Sequence, residues 1–252
     1  MLATRIRAMG AAHWVFLFAL ILGGWSALWL MAVPAETREL GQIYGAEFWI
    51  SLCLATPDLS GYPSLFLMWA LMSAAMMLPT ALPAFATYED LGASTDTNLV
   101  KLVTGYLVVW LGFAFVAAGL QIALFHIGLL DGFGTSQSAI FSAALLAVAG
   151  GYQFSPIKEA CLSKCRMPLT FFMERWEDGP FHMGLSLGAI CLGCCWALML
   201  LGFVGGVMSL AFMGLATVIM IIEKMPTIGK YISTPLGVVL LAASIWMLIT
   251  GI

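Results

Sequence analysis

Charge is scarce in this 252-residue chain. Asp, Glu, Lys and Arg make up 9% of it and hydrophobic residues 62%, where soluble domains carry about 25% charge. That scarcity excludes a soluble globular domain and points to an integral membrane protein. There is no basic patch, which excludes nucleic acid as a partner. There is no Gly-rich phosphate loop, no CPx motif and no nucleotide-binding domain, which excludes an ATP-driven pump. Histidine is limited to His13, His126 and His182. All three fall near expected helix ends, so no paired histidines stand at mid-membrane for a haem. Repeats, low-complexity tracts and a second soluble domain are also lacking.

What the chain has is apolar runs of spanning length, at about 12–33, 62–85, 100–126, 136–153, 182–203, 205–222 and 233–251. They predict an all-α transmembrane bundle of seven spans forming a single membrane domain over 1–252. Arg5 and Arg7 precede the first run, which reads as an uncleaved span. The fifth and sixth runs are joined by "GFVGG", a tight hairpin. With the N-terminus inside, nine of the ten basic residues fall on the cytoplasmic side and only Arg38 outside. That bias predicts N-in/C-out and a bacterial-type inner membrane. Residues 34–61 then form an external interfacial segment around "IYGAEFWISLCLA". Residues 155–181 form a cytoplasmic Cys-containing connection, with a short helix from Ile157 to about Arg166 broken by Pro168 and lying at the inner surface.

Six cysteines are present: Cys53, Cys161, Cys165, Cys191, Cys194 and Cys195. Cys53 is alone on the external side and reads as packing. The other five stay reduced where they fall. Cys161 and Cys165 are one helical turn apart, among Lys158, Lys164 and Arg166, which favour thiolates. In "CLGCCWALM" (191–199) the three cysteines share an arc of about 100°. Gly184, Gly188 and Gly202 share it too, and glycines admit a second helix closely. Three roles fit such a cluster: apolar packing, a thiolate metal site, or a redox dithiol. Adjacent Cys194 and Cys195 would make a strained disulfide, which counts against the last.

Methionine numbers 16. Met68, Met72 and Met76 form a stripe in "MWALMSAAMMLP" (68–79), with Met77 pointing elsewhere and Pro79 freeing backbone carbonyls. A stripe at helical spacing also serves as core. Counted from the ends of their runs, Met72 and Cys194 lie at about 15 and 18 Å depth. Depth matching thus names the second helix as the cysteines' neighbour. Thiolate and thioether ligands together select Cu(I), and zinc, which prefers Cys with His, fits less well. Glu223 and Lys224 read as a pair marking the inner boundary.

The motifs "MWALMSAAMMLP" (68–79), "SPIKEACLSKCRMP" (155–168), "LGAICLGCCWALM" (187–199) and "EK" (223–224) resemble the DUF2182 family over roughly residues 60 to 230. That family is described as predicted metal-binding integral membrane proteins, some labelled copper chaperones. The resemblance implies Met72, Met76, Met77, Cys161, Cys165, Cys191, Cys194 and Cys195 as metal-site residues. The expectation is a protein, not an enzyme, that binds Cu(I) in an intramembrane Cys/Met cluster and hands it over. Cys161–Cys165 would be a separate docking or transfer site. Expected partners are the bilayer, a metal donor or acceptor protein, or a membrane enzyme complex. The rival readings are an accessory or assembly subunit of such a complex and a dithiol redox protein.

Overall fold

A computed structural model describes residues 12–32, 61–91, 98–207 and 209–251. Cys53, Arg5, Arg7, Arg38 and the expected interfacial helix lie outside the described residues. Within them the fold is all-helical: α1 Ala12–Ala32, α2 Tyr62–Leu91, α3 Leu99–His126, α4 Ala139–Tyr152, α5 Pro156–Arg166, α6 Pro168–Glu174, α7 Gly179–Leu200, α8 Gly202–Gly205, α9 Leu210–Lys224 and α10 Gly229–Thr250. Five helical stretches are long and apolar enough to cross a membrane, or six if α4 and α5, bent by 62° at their junction, count as one span. The expected fourth and sixth spans are short: α4 has 14 residues and α9 has 15. At 1.5 Å per residue each rises about 22 Å, less than the roughly 30 Å of hydrocarbon.

Local sequence explains the boundaries. Asn98 caps α3, its Oδ1 accepting from Lys101 N at 3.0 Å. Ser138, Ser155 and Ser209 do the same for α4, α5 and α9, satisfying orphan N–H groups that lipid cannot hydrate. Pro156 opens α5 and Pro168 opens α6, at the first turn where a missing N–H costs nothing. The hairpin before α9 turns at Gly206, whose φ of +85° suits glycine.

α2 runs unbroken through Pro79 and Pro83. Pro79 leaves the Ala75 carbonyl without its helical donor. Trp25 of α1 supplies one, its Nε1 donating to Ala75 O at 3.0 Å. The Met77 carbonyl accepts from Thr80 Oγ1 at 2.9 Å and from Tyr106 of α3 at 3.1 Å. At the far end of α2, Glu89 holds both His13 and Trp14 of α1.

α3 lies between α2 and α7 and packs extensively on both. Its contact with α7 is close because glycine meets glycine. A Cβ on Gly184 would stand 2.1 Å from Leu102 O, and one on Gly105 would stand 2.3 Å from Phe181 O. On the other flank α10 packs against α4, with Ser244 Oγ donating to Ala143 O at 2.8 Å. The short helix α5 packs against α7, and α9 packs against α2 and α10.

A candidate metal centre

The thiols of Cys191, Cys194 and Cys195 all lie within 4.8 Å of one another, and all three residues are buried. Cys194 Sγ and Cys195 Sγ are 3.3 Å apart, and Cys194 Sγ also donates to Cys191 O at 3.1 Å. The five described cysteines are free. This is a preformed group of soft donors on one turn of α7, the chemistry a Cu(I) ion fits.

The CxxxC helix joins that group. α5 is the expected short helix, and it packs along α7. Cys161 Sγ lies against Gly193, 2.7 Å from where a Cβ would sit. Tyr152, at the end of α4, fixes the same residue by donating to Gly193 O at 2.5 Å. Cys165 shares a small cavity with Cys191. Both CxxxC cysteines are half-buried.

Of the basic surround expected for Cys161 and Cys165, Lys164 stays near Cys161, and the other two cations are drawn elsewhere. Lys158 and Arg166 are engaged by carboxylates and a backbone carbonyl instead. Lys158 Nζ donates to both carboxylate oxygens of Glu223 at 2.9 Å and to Gln153 Oε1. Arg166 donates from Nε to Glu223 O at 2.9 Å and from Nη1 to Glu159 at 2.8 Å. Both cations satisfy a buried carboxylate and a helix end, not thiols.

Glu223 and Lys224 are likewise not a boundary pair. Both are buried. Lys224 Nζ reaches inward, donating to Cys191 Sγ at 2.9 Å and to Thr80 Oγ1 at 2.6 Å. Cys191 Sγ also meets the Tyr106 hydroxyl at 3.1 Å. One thiol of the cluster is therefore held by an ammonium from α9 and a phenol from α3. The apolar periodicity used for the sequence reading carries no trace of Tyr106 or Thr80.

Two glycines of the cysteine arc, Gly184 and Gly188, do admit a helix, but it is α3 and not α2, while Gly202 has nothing within 4 Å of a Cβ position. Gly184 meets Leu102, and Gly188 meets Tyr106 and Val109. α2 reaches the cluster through Tyr106, which bridges Met77 O and Cys191 Sγ. That bridge sets the register: Cys191 is level with Met77 and Thr80. Met76 is on the same turn, and Met72 is five residues, about 7.5 Å, further along. All three methionines are buried in the core that contains the cysteines.

A family model described as "PpoB2: Copper chaperone" matches residues 66–247. That interval runs from within α2 through most of α10, and holds every cysteine and methionine named above except Cys53. No curated protein and no solved structure matches the chain.

Proposed function

We propose, from the premise that the chain belongs to the DUF2182 copper chaperone family, that it binds Cu(I) in the membrane and passes it to a partner. The observation that carries this reading is the three buried thiols within 4.8 Å of one another. Cu(I) is the cargo. Cys191, Cys194 and Cys195 are its principal ligands, and Cys165 joins them from α5. Cys161, Met72, Met76 and Met77 complete the soft surround. Cu(I) is satisfied by two to four such donors. Zinc, which seeks four ligands of the Cys and His type, is the poorer fit.

The setting is a multi-pass protein of the inner membrane, with seven spans and the N-terminus inside. In it α9 crosses despite its 15 residues, and 155–181 is the cytoplasmic connection. The partner is a metal donor or acceptor protein, or a membrane enzyme complex that receives the copper. Handing over an ion by ligand exchange leaves no substrate chemically changed, so the reading is of a carrier and not an enzyme.

The test is copper content after gentle purification and anaerobic loading with Cu(I). The wild type should bind copper with sulfur ligation visible by X-ray absorption. Joint Cys194→Ser and Cys195→Ser substitution should abolish most of it, since a hydroxyl is a hard, poor ligand for Cu(I). Full retention in that double variant would end the reading. A stable multiprotein complex free of copper would favour the assembly-subunit reading instead.

A further inference from the structure

Two voids meet at the thiol cluster. The inner one is about 30 Å³, with Cys191, Tyr106, Cys165 and Lys224 in its wall. That is room for a body about the size of one water molecule. The outer one is a cleft of about 780 Å³ between the second half of α2, the α5–α6 junction and the end of α9. Its volume is that of a small-molecule site. Thr80, Pro83, Cys165 and Lys224 line both voids, so these four residues form the partition. The hydrogen bond from Lys224 Nζ to Thr80 Oγ1, at 2.6 Å, ties α9 to α2 across it.

The cleft's place along α2 matters. Its α2 wall runs from Pro79 to Leu91. That stretch lies roughly 26 to 44 Å along the helix from Tyr62. With Tyr62 at the outer face, as the charge bias predicts, and hydrocarbon about 30 Å thick, the cleft falls across the inner membrane edge and opens toward water. Copper(I) reaches such an opening bound to a ligand, because the bare ion is unstable in water.

We infer that the cleft is the loading port of the metal centre, taking a Cu(I) complex of a small thiol carrier whose ion Cys165 captures and passes inward beside the Thr80–Lys224 contact. The inference rests on the soft-metal reading above. The difference in size between the voids divides the labour. The carrier fits the outer cleft, and only the ion fits the inner void. Capture is a ligand exchange with no change of oxidation state. A bond forms between copper and the Cys165 sulfur, a copper–carrier sulfur bond breaks, and the Cys165 proton leaves on the carrier thiolate. Cys191, which lines the inner void together with Cys165, is the next sulfur inward.

The experiment fills the cleft from opposite walls, with Thr87→Trp on α2 and Leu169→Trp on α6. Leu169 is 50% exposed, so the second variant has room to fold. Two rates are read. In metal-free protein, labelling of Cys165 by a small charged methanethiosulfonate reagent is followed by peptide mass spectrometry. In a second arm, copper loading from a Cu(I) complex of a simple water-soluble thiol is followed in time. Both rates should fall by an order of magnitude in each variant, while final copper per chain stays that of the wild type. A Thr80→Val variant should speed labelling of Cys191 and leave that of Cys165 unchanged. Unchanged rates in both tryptophan variants, with a copper-binding wild type, overturn the port and leave the soft-metal reading standing. A wild type that binds no copper overturns both.

Discussion

Lys158 Nζ stands 2.9 Å from each carboxylate oxygen of Glu223, and both side chains are 1% exposed. The pair ties α5 to the end of α9. Removing one partner leaves an uncompensated buried charge, which costs about 3–5 kcal/mol, whereas replacing both with apolar residues is often neutral. Lys158→Met should therefore lower the unfolding temperature in detergent sharply. Adding Glu223→Leu to it should recover much of the loss. A double variant no more stable than the single one would show that the pair does not act as a unit.

The contact between α3 and α7 gives a second prediction. At Gly184 and Gly105 an added Cβ would meet backbone oxygens at 2.1 and 2.3 Å, and backbone cannot rotate away. Gly184→Ala and Gly105→Ala should each cost about 1–3 kcal/mol, the usual range for overpacking. Gly112, on the same α3, has nothing within 4 Å of a Cβ position. Gly112→Ala should be neutral or slightly stabilising, since alanine is the better helix former. Thermal unfolding of the three variants side by side checks the order.

Gly184, with Gly188, also shows where reading the sequence stops. Their shared arc with Cys191, Cys194 and Cys195 announces a helix at close quarters. The pattern lies on one helix and does not say which helix approaches. Counting residues from membrane ends pointed to α2 at Met72. The true neighbour is α3, and α2 arrives at Met77 through the Tyr106 hydroxyl. The all-helical fold, the α5 boundaries and the single-turn thiol cluster were legible because each depends on local spacing. Lys224 was misread for the opposite reason. A lysine ending an apolar run ordinarily snorkels to the interface, and only the packing of α2 and α7 around it shows that it points inward.

Orientation is a third prediction. The nine-to-one bias of Lys and Arg sets the N-terminus inside, and the side of the C-terminus then depends on whether α9 crosses. With its 15 residues crossing, the bundle has seven spans and a C-terminal reporter is active only outside the cytoplasm. That outcome is expected. A reporter active inside the cytoplasm would make α9 a re-entrant helix and reduce the count to six.

The register of the site makes the last prediction, on the methionines. Tyr106 brings Cys191 level with Met77, and Met76 shares that turn of α2. Met72 is about 7.5 Å further along. Methionine to leucine keeps volume and usually costs less than about 1.5 kcal/mol in a core, so a change in copper affinity would report lost ligation and not lost packing. Thioethers are soft donors suited to Cu(I). Met77→Leu and Met76→Leu should therefore weaken copper binding more than Met72→Leu, measured by competition with a Cu(I) chelator. Unfolding temperatures taken in parallel should stay close to that of the wild type. If Met72→Leu had the largest effect, the ion would sit farther along α2 than Cys191 does, and the cysteine turn would not be its centre. If all three variants bound copper as tightly as the wild type, the methionines would be core filler and the centre would consist of thiols alone.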